Sequence, residues 1–222
     1  MAGSSREELN QRLHDAALAG DVVKLRKAIA AGADVDARLP SHEVGYKSQT
    51  PLCAVVCASE INRNRAEKGR TACVRALLDA GASASAAVVL RDNEEPGYTA
   101  MHDAAWAGLD TICRLLLDAG ADLTAICDGN GFTPLRYAAI HRHHRLVVLL
   151  LSRGETTDMC TAELDNISPG YRSRISSAGG FANYQKQQRA KLMAMLAPKM
   201  SHLLPPELVS HVITFWGHLG WT

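Results

Sequence analysis

The residues of this 222-residue chain whose types could do chemistry are few and scattered. His141, Arg142, His143 and His144 form a run, and clustered imidazoles are a common start to a metal site. A bound metal needs three or four ligands at fixed spacing. No further ligand stands near this run, so neither a metal nor a cofactor is expected. Six cysteines, Cys53, Cys57, Cys73, Cys113, Cys127 and Cys160, fall at no paired spacing and form no CxxC motif. They read as reduced, buried thiols on apolar helix faces, which places the chain in the cytoplasm or nucleus. Arg63, Arg65, Lys68 and Arg70 make a basic run interleaved with Glu60 and Glu67. Such arginines hold a carboxylate or phosphate through paired hydrogen bonds, while the glutamates offer local pairing instead. His102-Asp103 has no Ser or Cys nucleophile beside it, and no G-x-S-x-G, P-loop or H-E-x-x-H motif occurs. No enzymatic activity is expected.

Short helices must position these groups. In Gly97–Gly120, GYTAMHDAAWAGLDTICRLLLDAG, Thr99 is the type of residue that caps a helix start. Met101, Ala104 and Ala105 then make one narrow apolar face at helical spacing, and Gly108 ends the helix. A second helix runs to Gly120 with Ile112, Leu115 and Leu116 on its apolar side, and Gly120 suits the left-handed position past its end. Gly131–Gly154 repeats this design about 34 residues further on. Leu13–Ala37 does so upstream, and Thr50–Val56 with Val74–Ser83 does so in two pieces. In the first unit Ser5 or a near neighbour caps a helix over roughly Glu7–Ala19, and a second helix spans about Val22–Ala31. Thr50-Pro51 opens the next unit, with proline at the position whose N–H has no partner in any helix. Arg38–Gln49 and Ser83–Gly97 read as lengthened hairpins, Ser59–Arg70 as a lengthened joint between helices, and Asp128–Gly131 as a compact turn.

The T-P-L-H-x-A-A and L-L-x-x-G-A-D signatures of these units resemble the ankyrin repeat family. The resemblance covers residues 9–154, with repeats near 9–37, 50–83, 97–123 and 131–154. It implies an all-α fold: an ankyrin-repeat solenoid of about four helix-turn-helix units with inserted hairpin loops, in a domain over 1–154. It further implies binding of a protein partner through the concave face and hairpin tips. The matching contact positions are Leu18, Cys57, Trp106 and Ile140 after each Ala-Ala-type pair, with Tyr98 and Phe132 just before the threonine. Trp106 is the sharpest of these, because Trp and Tyr dominate binding hot spots. The family histidine is kept as His14 and His102 but becomes Cys53 and Arg136 in units two and four. The hydrogen bonding assigned to it is therefore expected in units one and three only. Arg142 likewise stands where a helix-ending glycine is usual.

Composition agrees with a binding scaffold. A net charge of +1 and a pI near 7.7 lack the basic surplus that a nucleic-acid or membrane-surface partner requires. No stretch reaches the roughly 18 apolar residues of a membrane span, and the polar start MAGSSREELNQRL shows no secretory signal. Leu146–Leu151, LVVLLL, covers every side of a helix with apolar groups, so both faces should be buried. A terminal repeat normally turns a polar face to water. We therefore expect the segment 155–222 to cap it, chiefly through Tyr184–Ala197 with Leu192, Met193, Met195 and Leu196. The tail beyond, LPPELVSHVITFW, begins with a Leu-Pro-x-Glu-Leu pattern that resembles F-box-like segments. That resemblance implies a ubiquitin-ligase component as partner of Leu204, Leu208, Val212, Phe215 and Trp216. The alternatives are that the tail simply buries these residues on the last repeat, or that the chain is a structural subunit of a larger assembly.

Overall fold

The computed structural model describes residues 5–40, 46–57, 67–90, 96–127, 132–154 and 170–200. The chain divides into two compact units, Met1–Tyr137 and Ala138–Thr222.

The first unit begins with α1 (Arg6–Ala19) and α2 (Val22–Ala30). Ser5 caps α1 by accepting from the Glu8 amide at 3.2 Å. Gly20 ends it in the left-handed region at φ 65°. Asp21 then caps α2, accepting from the Val23 and Lys24 amides. Next come β1 (Leu39–Pro40), β2 (Tyr46–Gln49), α3 (Pro51–Cys57) and α4 (Glu67–Asp79). They are followed by β3 (Ala87–Leu90), β4 (Pro96–Thr99), α5 (Ala100–Ala107) and α6 (Asp110–Asp118). Within this unit α1, α3 and α5 lie side by side as an inner row, and α2, α4 and α6 form an outer row behind them.

The burial pattern repeats with the sequence. Leu13, Leu52 and Met101 stand at the same place in successive units and are all buried, as are Ala16-Ala17, Val55-Val56 and Ala104-Ala105. Small side chains at these paired positions let neighbouring inner helices approach closely, and each large one buried contributes about 1.5–3 kcal/mol. The hairpin ends are stitched by polar contacts between units: the Ser83 amide donates to Asp36 Oδ1 at 3.0 Å, and the Asp122 amide to Ser85 Oγ at 3.0 Å.

The expectation of an all-α fold is corrected here. The lengthened hairpins pair into a four-stranded antiparallel sheet in the order β1-β2-β3-β4. Tyr46 lies opposite Leu90, and Ala87 opposite Thr99. Extra residues in both hairpins carry their backbones far enough to bond each other. The two outermost strands each contain a proline, Pro40 and Pro96, which removes an edge N–H and blunts pairing with a further strand.

The boundary between the units falls inside α7 (Pro134–Ile140). The second unit contains the end of that helix, α8 (His144–Ser152), α9 (Tyr171–Ser177) and α10 (Phe181–Met200). Leu146, Val147, Leu149, Leu150 and Leu151 are all buried, and α10 lies against both α8 and α9. Tyr171, Ile175, Phe181 and Tyr184 are buried, with the Tyr171 and Tyr184 rings edge to face at 5.6 Å. Met195 is 61% exposed.

Arg142 occupies φ 59°, so the turn between α7 and α8 keeps the left-handed shape without its glycine. The His143 amide still reaches Ala138 O at 2.9 Å, as Leu109 reaches Ala104 O and Asp21 reaches Ala16 O.

Candidate functional site

The centre of the first unit is His102, fully buried on α5. Its Nδ1 accepts from the Thr99 amide at 3.2 Å and lies 2.8 Å from Thr99 Oγ1. An amide can only donate, so Nδ1 is the bare nitrogen and Nε2 carries the proton. Nε2 then donates to Ala125 O at 3.0 Å and Phe132 O at 3.1 Å. The imidazole thus caps its own helix and holds the next hairpin. Both nitrogens are committed to structure, and neither is available as a general base.

The same position in the preceding unit is Cys53. Its thiol donates to Ala86 O at 3.3 Å, and Ala86 stands five residues after Gly81 as Ala125 does after Gly120. The expected loss of hydrogen bonding in unit two is therefore corrected: a shorter side chain reaches the equivalent carbonyl. In unit four Arg136 does something different. Its guanidinium lies over the Phe132 ring, 3.9 Å from the centroid.

Around this frame is an aromatic cluster. The Tyr137 hydroxyl donates to Tyr98 Oη at 3.0 Å, and Cys127 Sγ donates to Tyr137 Oη at 3.6 Å. The rings of Tyr98 and Phe132 stand 5.8 Å and 5.4 Å from that of Tyr137. Burial, then the bond to Tyr98, pushes the Tyr137 phenol pKa upward, so it stays protonated. Tyr137 was not singled out from sequence. Its position matches Asp103 in the unit before, which is acidic, and only the fold brings it to Tyr98.

Leu18, Cys57 and Trp106 stand at the same register of α1, α3 and α5, the three adjacent helices of the inner row. All three are half-buried. Together they make a stripe of two apolar side chains flanking a small polarizable one. Ile140 is also half-buried but belongs to the second unit.

The basic run is not one surface. Lys68 is exposed, whereas Arg70 is buried because α4 starts at Glu67 and carries both residues in its first turn. Arg63 and Arg65 lie outside the described residues, as do Cys160 and the tail residues Leu204, Leu208, Val212, Phe215 and Trp216. The His141 and His143 rings stack at 6.2 Å. Partial burial and the neighbouring His143 hold the His141 pKa below its usual value. Among the described residues no three His, Cys, Asp or Glu side chains converge on a metal position, and no helix is long and apolar enough to cross a membrane. The five described cysteines form no disulfide.

A row of paired helices whose capping side chains bridge to the next hairpin defines a repeat scaffold built to present side chains. Residues 13–127 match the description "Ankyrin repeats (3 copies)", and residues 109–151 match "Ankyrin repeats (many copies)". The chain belongs to the ankyrin repeat family, whose members are protein-interaction modules and typically not catalysts. Over 82 residues it is 38% identical to the B-cell lymphoma 3 protein homolog of Mus musculus, covering 37% of this chain and 18% of that protein. Over 58 residues it is 41% identical to the tyrosine-protein kinase HTK16 of Hydra vulgaris, covering 26% of this chain and 8% of the kinase. The chain thus spans less than a fifth of either relative.

Proposed function

We propose that this protein is a non-enzymatic scaffold or adaptor that docks a protein partner on the inner row of helices, inside the cell. The observation that carries this reading is the stripe of Leu18, Cys57 and Trp106, one residue from each of three adjacent inner helices and none fully buried. The core of each unit is already complete without them, through Leu13, Leu52 and Met101. A tryptophan left half-buried on a rigid scaffold is a low-entropy anchor for a partner's apolar side chain. Tyr98, Phe132 and Tyr137 supply a second aromatic surface whose geometry is fixed beforehand by their mutual contacts. Repeat scaffolds host many unrelated partners, so the partner must be found by capture. Affinity capture with the full chain, followed by mass spectrometry, is the test. A partner recovered with the wild type and lost with Trp106→Ala, at unchanged melting temperature, supports the reading. Recovery unaffected by Trp106→Ala would refute it.

A further inference from the structure

The chain-wide net charge of +1 conceals an uneven distribution. Met1–Tyr137 carries fifteen Lys and Arg against eighteen Asp and Glu, a net charge of −3. Ala138–Thr222 carries nine against five, a net charge of +4. With every acid of the second unit paired one to one, four of its cations are still left over. A surplus confined to one part of a chain sets up a local field that the overall balance hides.

The surplus gathers on α9 and α10. Residues 170–200 contain six Lys and Arg and no Asp or Glu. The inward side of these helices is apolar: Tyr171, Ile175, Phe181 and Tyr184 are buried, and the Tyr171 and Tyr184 rings hold α9 against α10. Arg172, Arg174, Lys186, Arg189 and Lys191 are all exposed. Lys186 and Arg189, three residues apart, share one side of α10. The Arg174 guanidinium lies 5.9 Å from the centre of the Tyr171 ring, so the α9 cations stand beside the start of α10.

The residues between these cations select the partner. Ser173, Ser176, Asn183 and Gln187 are exposed there, and such groups hydrogen-bond phosphate and sugar oxygens. Among the exposed described residues of this unit, only Met195 is large and apolar. A protein partner draws its affinity from buried aromatic or aliphatic anchors, and a membrane surface from inserted apolar side chains. A phosphodiester backbone needs neither, because cations that displace its counterions supply the affinity. The rings of α9 and α10 are buried, which denies unpaired bases a stacking platform and favours a duplex.

We propose that the exposed surface of α9 and α10 binds the backbone of duplex nucleic acid without reading its sequence. This is a second activity, separate from the stripe on the inner helices and independent of it.

The test is fluorescence anisotropy of a labelled 20-base-pair DNA duplex titrated with the full chain at several sodium chloride concentrations. Four surplus cations predict a log–log salt slope of about −3 to −4, equal for two duplexes of unrelated sequence. Lys186→Gln with Lys191→Gln should reduce that slope by about two and weaken binding about tenfold or more at 100 mM salt. Arginine at both positions keeps the charges and should bind as the wild type does. Arg26→Gln with Lys27→Gln removes two exposed cations from α2 in the first unit and should leave binding within about twofold. Trp106→Ala should not alter duplex binding, so this proposal and the docking stripe fail separately. Poly-L-glutamate and phosphatidylserine vesicles are the competing probes, and the duplex should bind more tightly than either. A flat salt dependence, or tighter binding to polyglutamate or vesicles, would overturn the proposal. So would equal losses for the two glutamine pairs, no loss for the α10 pair, or a loss in the arginine pair.

Discussion

Replacing His102 with alanine should cost far more stability than replacing its counterpart Cys53, although both are fully buried. The imidazole engages the Thr99 amide, Thr99 Oγ1, Ala125 O and Phe132 O. Alanine would leave the Thr99 amide, Thr99 Oγ1 and Ala125 O without this partner, while Phe132 O keeps the Cys127 amide at 3.1 Å. At about 1 kcal/mol for each lost contact, with a further ~1 kcal/mol for the void, the loss is about 4–5 kcal/mol. Cys53→Ala removes one weak thiol bond to Ala86 O and a single atom of volume, a loss of about 1–1.5 kcal/mol. Urea unfolding of the full chain followed by circular dichroism reads both, with the slope checked for constancy. A His102→Ala loss below about 1 kcal/mol, or equal losses for the two variants, would mean that His102 does not bridge the units as described.

Three further outcomes follow from the same structure. Arg142 holds a left-handed backbone at φ 59°, so Arg142→Gly should stabilise the chain by about 0.5–1 kcal/mol in the same assay. Burial pushes the Cys53 and Cys73 thiols up to about 11 and raises Cys113 as well. Among the described cysteines, a thiol reagent at pH 8 should therefore label half-buried Cys57 before those three, which react only on unfolding, as mass spectrometry of peptides would report. The His141 pKa lies below its usual 6.5 in the folded chain, so the unfolded state binds the proton more readily. Stability is then unaffected above pH 6.5 and falls as the pH drops below it, and His141→Ala should flatten that acid-side decline in a melting-temperature series.

The repeat itself was legible because it rests on local signals. Ser5 and Thr50 cap helices through their own side chains, Gly20 and Gly108 take left-handed angles, and Leu13, Leu52 and Met101 fall on the buried face. Pairings that join distant segments were not legible. The strand Ala87–Leu90 has no alternating polarity and finds its partner at Tyr46–Gln49, so the sheet depends on two hairpins whose lengths match. Arg70 reads as a surface charge until α4 is seen to begin at Glu67 and turn it inward. The stretch holding α9 is rich in serine and glycine, and its Tyr171 and Ile175 stand too far apart from other apolar residues to signal a core. The aromatic site was half visible: Tyr98 and Phe132 follow from their place before each threonine, whereas Tyr137 joins them only through the fold.

The central claim is that binding energy resides on the inner row of helices, and titration calorimetry with the captured partner tests it most directly. Val23, 60% exposed on the outer helix α2, is the control for removing apolar surface of the opposite row. Trp106→Ala should weaken binding by about 2 kcal/mol or more, roughly thirtyfold, while Val23→Ala leaves it unchanged. Full affinity for Trp106→Ala together with a loss for Val23→Ala would place the partner on the wrong side of the scaffold for this account.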